Sequence, residues 1–301
     1  MSAPALADGT LRGVAAGSGR AVRPSFAGSP TARAYGRLNA VLPGLLQVRE
    51  LGPGEAEPCG PGWVNAAQLA AGGTALDAFL AEDDAQVRRD HGRAARPDVV
   101  ASFGLHRYAW PACLLITVPW FLDRRVPRLP VSAVSYQRAQ GRMAVRGTTF
   151  ACLPGDPAAA LPTARVVPDE EALRAQVRAA VAEHLAPLLA AFGPRMRRRG
   201  RALWGMATDE VTDGLWYVAR LLGAERRAVV ELGRLLPGHT APYASGAGFR
   251  ALAGPDGREV VTRDRVSCCL YYTLRPEDAC VTCPRTCDAE RLTRLTAAAP
   301  H

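Results

Sequence analysis

The sequence predicts a predominantly helical α+β protein with a small antiparallel sheet and a C-terminal cysteine clasp. Apolar residues recur at helical spacing between about residues 170 and 236, whereas alternating β-branched and aromatic residues are confined to 133–167. Five of the eight cysteines fall within twenty residues near the C-terminus. A length of 301 residues and a hydrophobic content of 48% are sufficient for a buried core.

The N-terminal third is predicted to contain a flexible arm and two helical regions. Residues 1–31 are rich in Gly, Ala, Ser and Pro, which is typical of a poorly ordered segment. A short helix is expected from Ala32 toward Pro43, where the proline stops it. Apolar residues at near-helical spacing over Asn65–Asp90 predict one helix, or two helices divided at the Gly-Gly pair 72–73.

The middle of the chain is predicted to change from helix to sheet. Pro97 suits the first turn of a helix that continues toward Pro111. The apolar run CLLITVPWFL, residues 113–122, is compatible with a buried strand or a buried helix. Segments rich in Val, Thr, Tyr and Phe then predict an antiparallel sheet near residues 130–167: Ala133–Arg138, Met143–Leu153 and Ala164–Val167.

Three helices are predicted after the sheet. The first begins at Asp169, presents one apolar face and ends near Gly193. The other two cover Arg199–Gly223 and Ala224–Leu236. The predicted organisation is an arm, a mainly helical domain and a cysteine segment, at residues 1–31, 32–260 and 261–295.

The large positive net charge of the chain is weak evidence for a nucleic-acid partner. The formal net charge is +9, but all 37 basic residues are arginines. This usage, with abundant Ala, Gly and Pro, indicates the codon bias of a GC-rich genome, so no nucleic-acid partner is expected. The arginine-rich run 195–201 is interpreted as a solvated loop or helix start.

The sequence also bears on location. It contains no apolar run of about eighteen residues, and its N-terminus lacks the apolar core of a secretory signal. No membrane span is therefore expected, and the expected location is cytoplasmic.

The cysteines form the pattern C-C-x10-C-x2-C-P, made by Cys268, Cys269, Cys280 and Cys283. Four thiolates in two close pairs suit a 2Fe-2S cluster, because each iron takes two protein ligands besides the bridging sulfides. Between the pairs we expect an extended piece, LYYTL, and a turn, RPEDA. Adjacent cysteines require a departure from extended backbone, since neighbouring side chains in a strand point to opposite faces.

Other uses of these cysteines stay open on sequence alone. Four thiolates also bind structural zinc, although an adjacent pair chelates one ion poorly. A redox-active dithiol at Cys280 and Cys283 would need a βαβ context, which is missing. Cys287 is interpreted as a neighbour of the centre that could replace one ligand. The isolated cysteines are interpreted as small apolar residues: Cys59, Cys113 and Cys152.

The cysteine pattern resembles the C-terminal signature of the FhuF-like ferric siderophore reductases, with a match at each of the four cysteines. The segment Leu203-Trp204-Gly205 resembles an upstream motif of the family, in which Asn commonly stands where this chain has Met206. The resemblance implies a 2Fe-2S enzyme that reduces a ferric siderophore, of hydroxamate type, by one electron. The four cysteines would then carry the electron through the cluster.

The resemblance leaves the substrate site and the electron donor to be found. Trp204, Trp216 and Tyr217 are candidates for a docking pocket, although aromatic residues at helical spacing are more often core. No histidine has a partner at metal-chelating spacing, and each is interpreted as satisfied or solvated: His106, His184 and His239.

Electrons are expected from a separate ferredoxin or flavin reductase, because the chain has no dinucleotide-binding motif. The arginines nearest the cysteines in sequence are expected to favour the reduced cluster: Arg263, Arg265, Arg275 and Arg285. Two other functions compete with the reductase. One is a non-catalytic iron-sulfur sensor or binding protein, and the other is a zinc-stabilised nucleic-acid-binding protein.

Overall fold

The computed structural model describes residues 28–238, 240–254, 257–278 and 280–297. The chain is mostly helical, 55%, with small mixed sheets, which confirms the predicted fold class. Most of the predicted arm, residues 1–27, lies outside the described residues. The helices are α1 Ala32–Val41, α2 Ala66–Ala71, α3 Gly73–His91, α4 Pro97–Asp123, α5 Glu170–Met196, α6 Gly200–Leu221, α7 Glu225–Leu235 and α8 Asp288–Ala297.

Helix α4 is the centre of the fold and packs against α5 and α6. The apolar run 113–122 belongs to this helix, so the strand alternative is excluded. Among the described residues, α4 is the one helix long and apolar enough to cross a membrane by length and composition. Of that apolar window, 78% is buried inside the fold, and a core helix passes the same test.

The helix boundaries follow local sequence signals. The predicted region Asn65–Asp90 is two helices, because Gly72 adopts a φ of 73° that separates α2 from α3. Asn65 caps α2 by accepting a hydrogen bond from Ala67 N at 2.9 Å. Asp169 caps α5 in the same way through Ala172 N at 2.8 Å. Helix α5 continues past the predicted end at Gly193 to Met196.

In the described part of the chain the strands form two mixed sheets and a hairpin, where the sequence predicted one antiparallel sheet. The strands are β1 Gln47–Glu50, β2 Trp63–Asn65, β3 Arg125–Pro127, β4 Val134–Gln137, β5 Arg142–Val145, β6 Phe150–Cys152, β7 Ala164–Val166, β8 Phe249–Ala253 and β9 Glu259–Arg263. The first sheet has the order β1-β5-β4-β2, the second β3-β6-β7, and β8 pairs with β9.

The antiparallel expectation fails at two pairs, since β1 with β5 and β6 with β7 are parallel. Parallel partners lie far apart or join through long connections, and no local turn signal reveals them. Strand β9 continues across the predicted domain boundary between residues 260 and 261, so the cysteine segment follows directly from a hydrogen-bonded strand.

His184 joins three parts of the core and is satisfied, as predicted. Its Nδ1 lies 2.7 Å from the carbonyl oxygen of Leu129, and its Nε2 lies 2.9 Å from Tyr108 Oη. A carbonyl only accepts, so Nδ1 carries the proton and Nε2 accepts from the tyrosine. Burial lowers the pKa of His184 to about 4. The ring is therefore neutral in the folded protein at neutral pH.

We expect this neutral histidine to make stability depend on pH. An unfolded histidine takes up a proton below about pH 6.5, whereas folded His184 does so only near pH 4. The free energy of unfolding should fall by about 1.4 kcal/mol for each pH unit of acidification between these values. Urea denaturation at several pH values should show that the free energy of unfolding depends less steeply on pH in His184→Gln than in the unsubstituted protein. His91→Gln is the matched control, and an unchanged pH dependence in His184→Gln would contradict the assignment of a neutral, buried ring.

Candidate metal centre

The cysteine segment, residues 264–287, is held against helix α6 by a buried carboxylate. Asp209, which is fully buried, accepts from Val266 N at 3.0 Å and from Ser267 N at 2.8 Å. It also accepts from Ser267 Oγ at 2.7 Å and from Arg263 Nη2 at 2.7 Å. A carboxylate with this many donors is stable without water. We call this set of contacts the Asp209 clamp, and it fixes the backbone immediately before Cys268.

The backbone leaves the clamp through a tight turn that accommodates the adjacent cysteines. Arg198 Nη2 donates to the carbonyl oxygen of Cys268 at 2.6 Å. Leu270 then adopts a φ of 68°, a left-handed conformation that is unusual for a non-glycine residue. The backbone therefore changes direction directly after the adjacent pair.

The piece LYYTL is not extended, in contrast to the sequence prediction. Tyr271–Thr273 forms a 3-10 turn, and Pro276–Asp278 forms a second. Arg93 holds the first turn by donating to the carbonyl oxygens of Thr273 and Leu274. The helical turn, and not a strand reversal, therefore brings Cys280 back toward Cys269.

Two thiols of the segment, those of Cys269 and Cys280, are in contact. Cys268, Cys269 and Cys280 are half-buried, Cys283 is buried and Cys287 is exposed. A hydrogen bond from the Cys280 thiol lowers the pKa of Cys269 and raises that of Cys280. The sulfur of Cys283 lies within electrostatic range of Cys268 and of Cys280.

The cysteine segment supplies enough thiols for either kind of metal centre. Among the described residues, no group of three or more His, Cys, Asp or Glu side chains is placed to hold a metal ion. A structural zinc site needs four donors around one centre. A 2Fe-2S cluster needs two protein ligands at each iron, a number that four cysteines provide.

A cavity of about 900 Å³ opens beside the cysteines. Cys269 and Cys280 line it together with α3, α4 and the turn at residues 138–141. One face of α4 supplies Phe103, His106, Arg107 and Trp110, a spacing that places all four on the same side of a helix. The cavity therefore gives a molecule of moderate size access to the thiols.

Two charged contacts lie at the junction of the cavity and the cysteines. Arg265 Nη1 is 3.9 Å from Cys280 Sγ, and its Nε is 3.4 Å from Asp213. His106 Nδ1 is 2.8 Å from the carboxylate of Glu210, and this charge raises the pKa of His106. The Glu210 side chain is only 2% exposed, so the carboxylate lies behind the ring and away from the cavity.

The predicted aromatic docking residues do not line the cavity. Trp204 packs edge-to-face on Tyr243, and Trp216 does so on Phe249. Tyr217 is half-exposed against Trp110, and the described cavity lining includes none of the three predicted residues. The core interpretation of Trp204 and Trp216 is correct, because they lie on the sides of α6 that face other elements of the fold.

The arginines that lie near the cysteines in sequence occupy different places in the structure. Arg263 belongs to the Asp209 clamp, Arg275 lines the cavity, and Arg285 lies over the Tyr272 ring at 4.2 Å. His239 is outside the described residues. Sequence reasoning missed Arg107 and Arg138 as cavity residues. The polar and aromatic residues on one face of the otherwise apolar α4 could have indicated that Arg107 lines a cavity. No local sequence pattern indicates this for Arg138.

Comparison with known families agrees with this geometry. Residues 265–285 match the FhuF 2Fe-2S C-terminal domain. The matched range contains the four cysteines of the C-C-x10-C-x2-C pattern and ends before Cys287. No curated protein matches the chain. The C-terminal segment thus matches a 2Fe-2S domain.

We expect the Asp209 clamp to govern both stability and iron content. Asp209→Asn removes one of the two carboxylates that pair with buried Arg263, the other being Asp213, and turns an amide donor toward backbone N–H groups, which should cost about 3 kcal/mol. Urea denaturation and iron per chain measure the two effects. Asp213→Asn is the matched control, because Asp213 is 24% exposed and contacts arginine side chains. Equal stability and iron content in the two variants would contradict the clamp.

Proposed function

We propose that this protein reduces a ferric siderophore by one electron through a 2Fe-2S cluster held by Cys268, Cys269, Cys280 and Cys283. The observation that carries the proposal is the opening of Cys269 and Cys280, within a matched 2Fe-2S domain, into a cavity that admits a small molecule. An electron-transfer centre buried away from any cavity would favour a structural role instead.

The chemistry of the substrate explains why one electron is sufficient. Hard oxygen donors such as hydroxamates bind Fe(III) much more tightly than Fe(II), so reduction releases the metal. A 2Fe-2S cluster supplies electrons one at a time. The chain itself needs no general acid or base for this reaction, and its task is to position the chelate and to limit water at the thiols.

The residues around the cysteines suit that task. Tyr271 lines the cavity together with Cys269 and Cys280, and its ring centroid is 6.1 Å from that of Phe103 and 5.8 Å from that of His91. These three rings form an aromatic part of the cavity lining. The basic surface suits an acidic donor protein, so an external ferredoxin or flavin reductase and a cytoplasmic location remain part of the proposal.

The decisive test is a reduction and reoxidation cycle. Anaerobically purified protein should be coloured, and dithionite should bleach it. A ferric hydroxamate chelate should then restore the oxidised spectrum, with one Fe(II) trapped by a chromogenic ferrous chelator for each cluster oxidised. A cluster that dithionite reduces but the chelate does not reoxidise would favour the sensor. A colourless protein that contains zinc would refute the cluster altogether.

The four proposed ligands should be separable from the other cysteines by substitution. We expect Cys268→Ser, Cys269→Ser, Cys280→Ser and Cys283→Ser each to lose most of the iron and the visible absorption, because serine is a poor ligand for these irons. Cys287→Ser and Cys59→Ser are the controls and should keep both, since both thiols are exposed. A full spectrum in Cys268→Ser or Cys269→Ser, lost when Cys287→Ser is added, would show that Cys287 replaces a ligand.

Arg265 should raise the reduction potential of the cluster. Its guanidinium lies 3.9 Å from Cys280 Sγ, and a nearby cation stabilises the reduced, more negative form. Removing an interaction of about 1.4 kcal/mol would lower a one-electron potential by about 59 mV. Potentiometric titration of Arg265→Gln measures the shift, with Arg128→Gln, an exposed ion pair with Glu183, as control. An unchanged midpoint in Arg265→Gln would remove Arg265 from the role.

A further inference from the structure

The wall of the cavity beside the cysteines is strongly cationic. Four arginines line it, Arg107, Arg138, Arg265 and Arg275, together with two histidines. Among the described lining residues, Asp90 is the one carboxylate, and it accepts a hydrogen bond from Gln86 Nε2 at 2.6 Å. Arg265 is balanced by Asp209 and Asp213, 3.6 and 3.4 Å from its Nε, so the excess of positively charged hydrogen-bond donors comes from the other three arginines.

The counter-charges of these arginines lie behind the wall. Asp83 is fully buried, and one of its oxygens accepts from Arg107 Nε and Arg138 Nη2, each at 2.7 Å. One carboxylate thus serves two guanidiniums, which leaves the group with net positive charge. Glu82, half-exposed and 3.7 Å from Arg138, is too solvated to cancel it. The Arg107 side chain is 38% exposed and free to turn donors toward the cavity.

Arg275 adds a further positive charge to the cavity lining. Its Nε is 3.3 Å from His91 Nδ1, and its Nη1 is 3.7 Å from the carboxylate of Glu277, a side chain that is 62% exposed. Arg107 and Arg275 therefore line the same cavity as Cys269 and Cys280. Guanidinium groups bind carboxylates through two parallel hydrogen bonds, so they favour ligands that carry carboxylates.

We propose that the cavity selects ferric chelates that keep a net negative charge after enclosing iron. The class is one with carboxylates beyond those on the metal, such as citrate-based dihydroxamates, in preference to neutral or cationic trihydroxamates. The proposal rests on the reductase function and specifies its substrate class. Arg107 and Arg275 are the residues that contact the free carboxylates, and the aromatic side chains Phe103 and Trp110 pack against the apolar part of the chelate.

Binding and reduction can be measured separately with gallium. Ga(III) chelates copy the size and charge of their Fe(III) counterparts but accept no electron under these conditions. Calorimetry on the holoprotein should use three: a Ga(III) citrate dihydroxamate, a neutral cyclic trihydroxamate and a cationic linear trihydroxamate. The anionic chelate should bind about tenfold more tightly than the other two, and added salt should reduce this preference.

Substitutions test which arginines produce the preference for the anionic chelate. Arg107→Gln and Arg275→Gln should each weaken the anionic chelate by about fivefold to tenfold and leave the neutral chelate unchanged. Arg107→Lys keeps the charge and should retain most of the preference, and Arg128→Gln outside the cavity should retain all of it. Cluster absorption and thermal midpoints confirm that each variant is folded. Equal affinities for the three chelates, or equal losses for neutral and anionic ones, overturn the proposal.

The iron chelates distinguish this proposal from the function on which it rests. If Ga(III) affinities follow charge but no Fe(III) chelate reoxidises the reduced cluster, selective binding stands and the reductase function fails. If the Fe(III) chelates reoxidise the cluster at rates independent of their charge and of Arg107, the reductase function stands and the anion preference fails.

Discussion

The structure around the cysteines depends on one buried carboxylate. Asp209 lies on α6 and is fully shielded from water, so its charge is tolerable only while every donor around it stays in place. Two of those donors are the backbone N–H groups of Val266 and Ser267. Side chains on a flexible tail would not hold two adjacent thiols in register. The carboxylate makes the segment before Cys268 as rigid as the helix that carries Asp209.

The same constraint creates the cavity, because it fixes the cysteine segment at a set distance from α4. That helix is buried along most of its length, yet the face with His106 and Arg107 is not covered by apolar partners. This face and Cys269 line the same cavity. Helix α4 is thus both a core helix and one wall of a polar cavity.

Local signals in the sequence predicted most of the helices and the cysteine chemistry. The cap at Asp169 and the break at Gly72 depend on neighbouring residues, and both are visible in a one-dimensional pattern. The spacing of the cysteines likewise reflects local coordination chemistry. The parallel pairing of β1 with β5 depends on partners far along the chain. The cavity was missed for the same reason, since Arg138 and Arg275 meet α4 only through the tertiary fold.

The cysteine segment is held through its backbone by side chains of the helical body. Asp209, Arg198 and Arg93 all belong to the helical body, and each binds backbone atoms of the segment. None of these bonds requires metal. In small zinc domains the metal drives folding, because the apo chain has no core of its own. The segment of this chain is instead anchored to a helical body with its own buried core, so the folding of that body does not depend on metal.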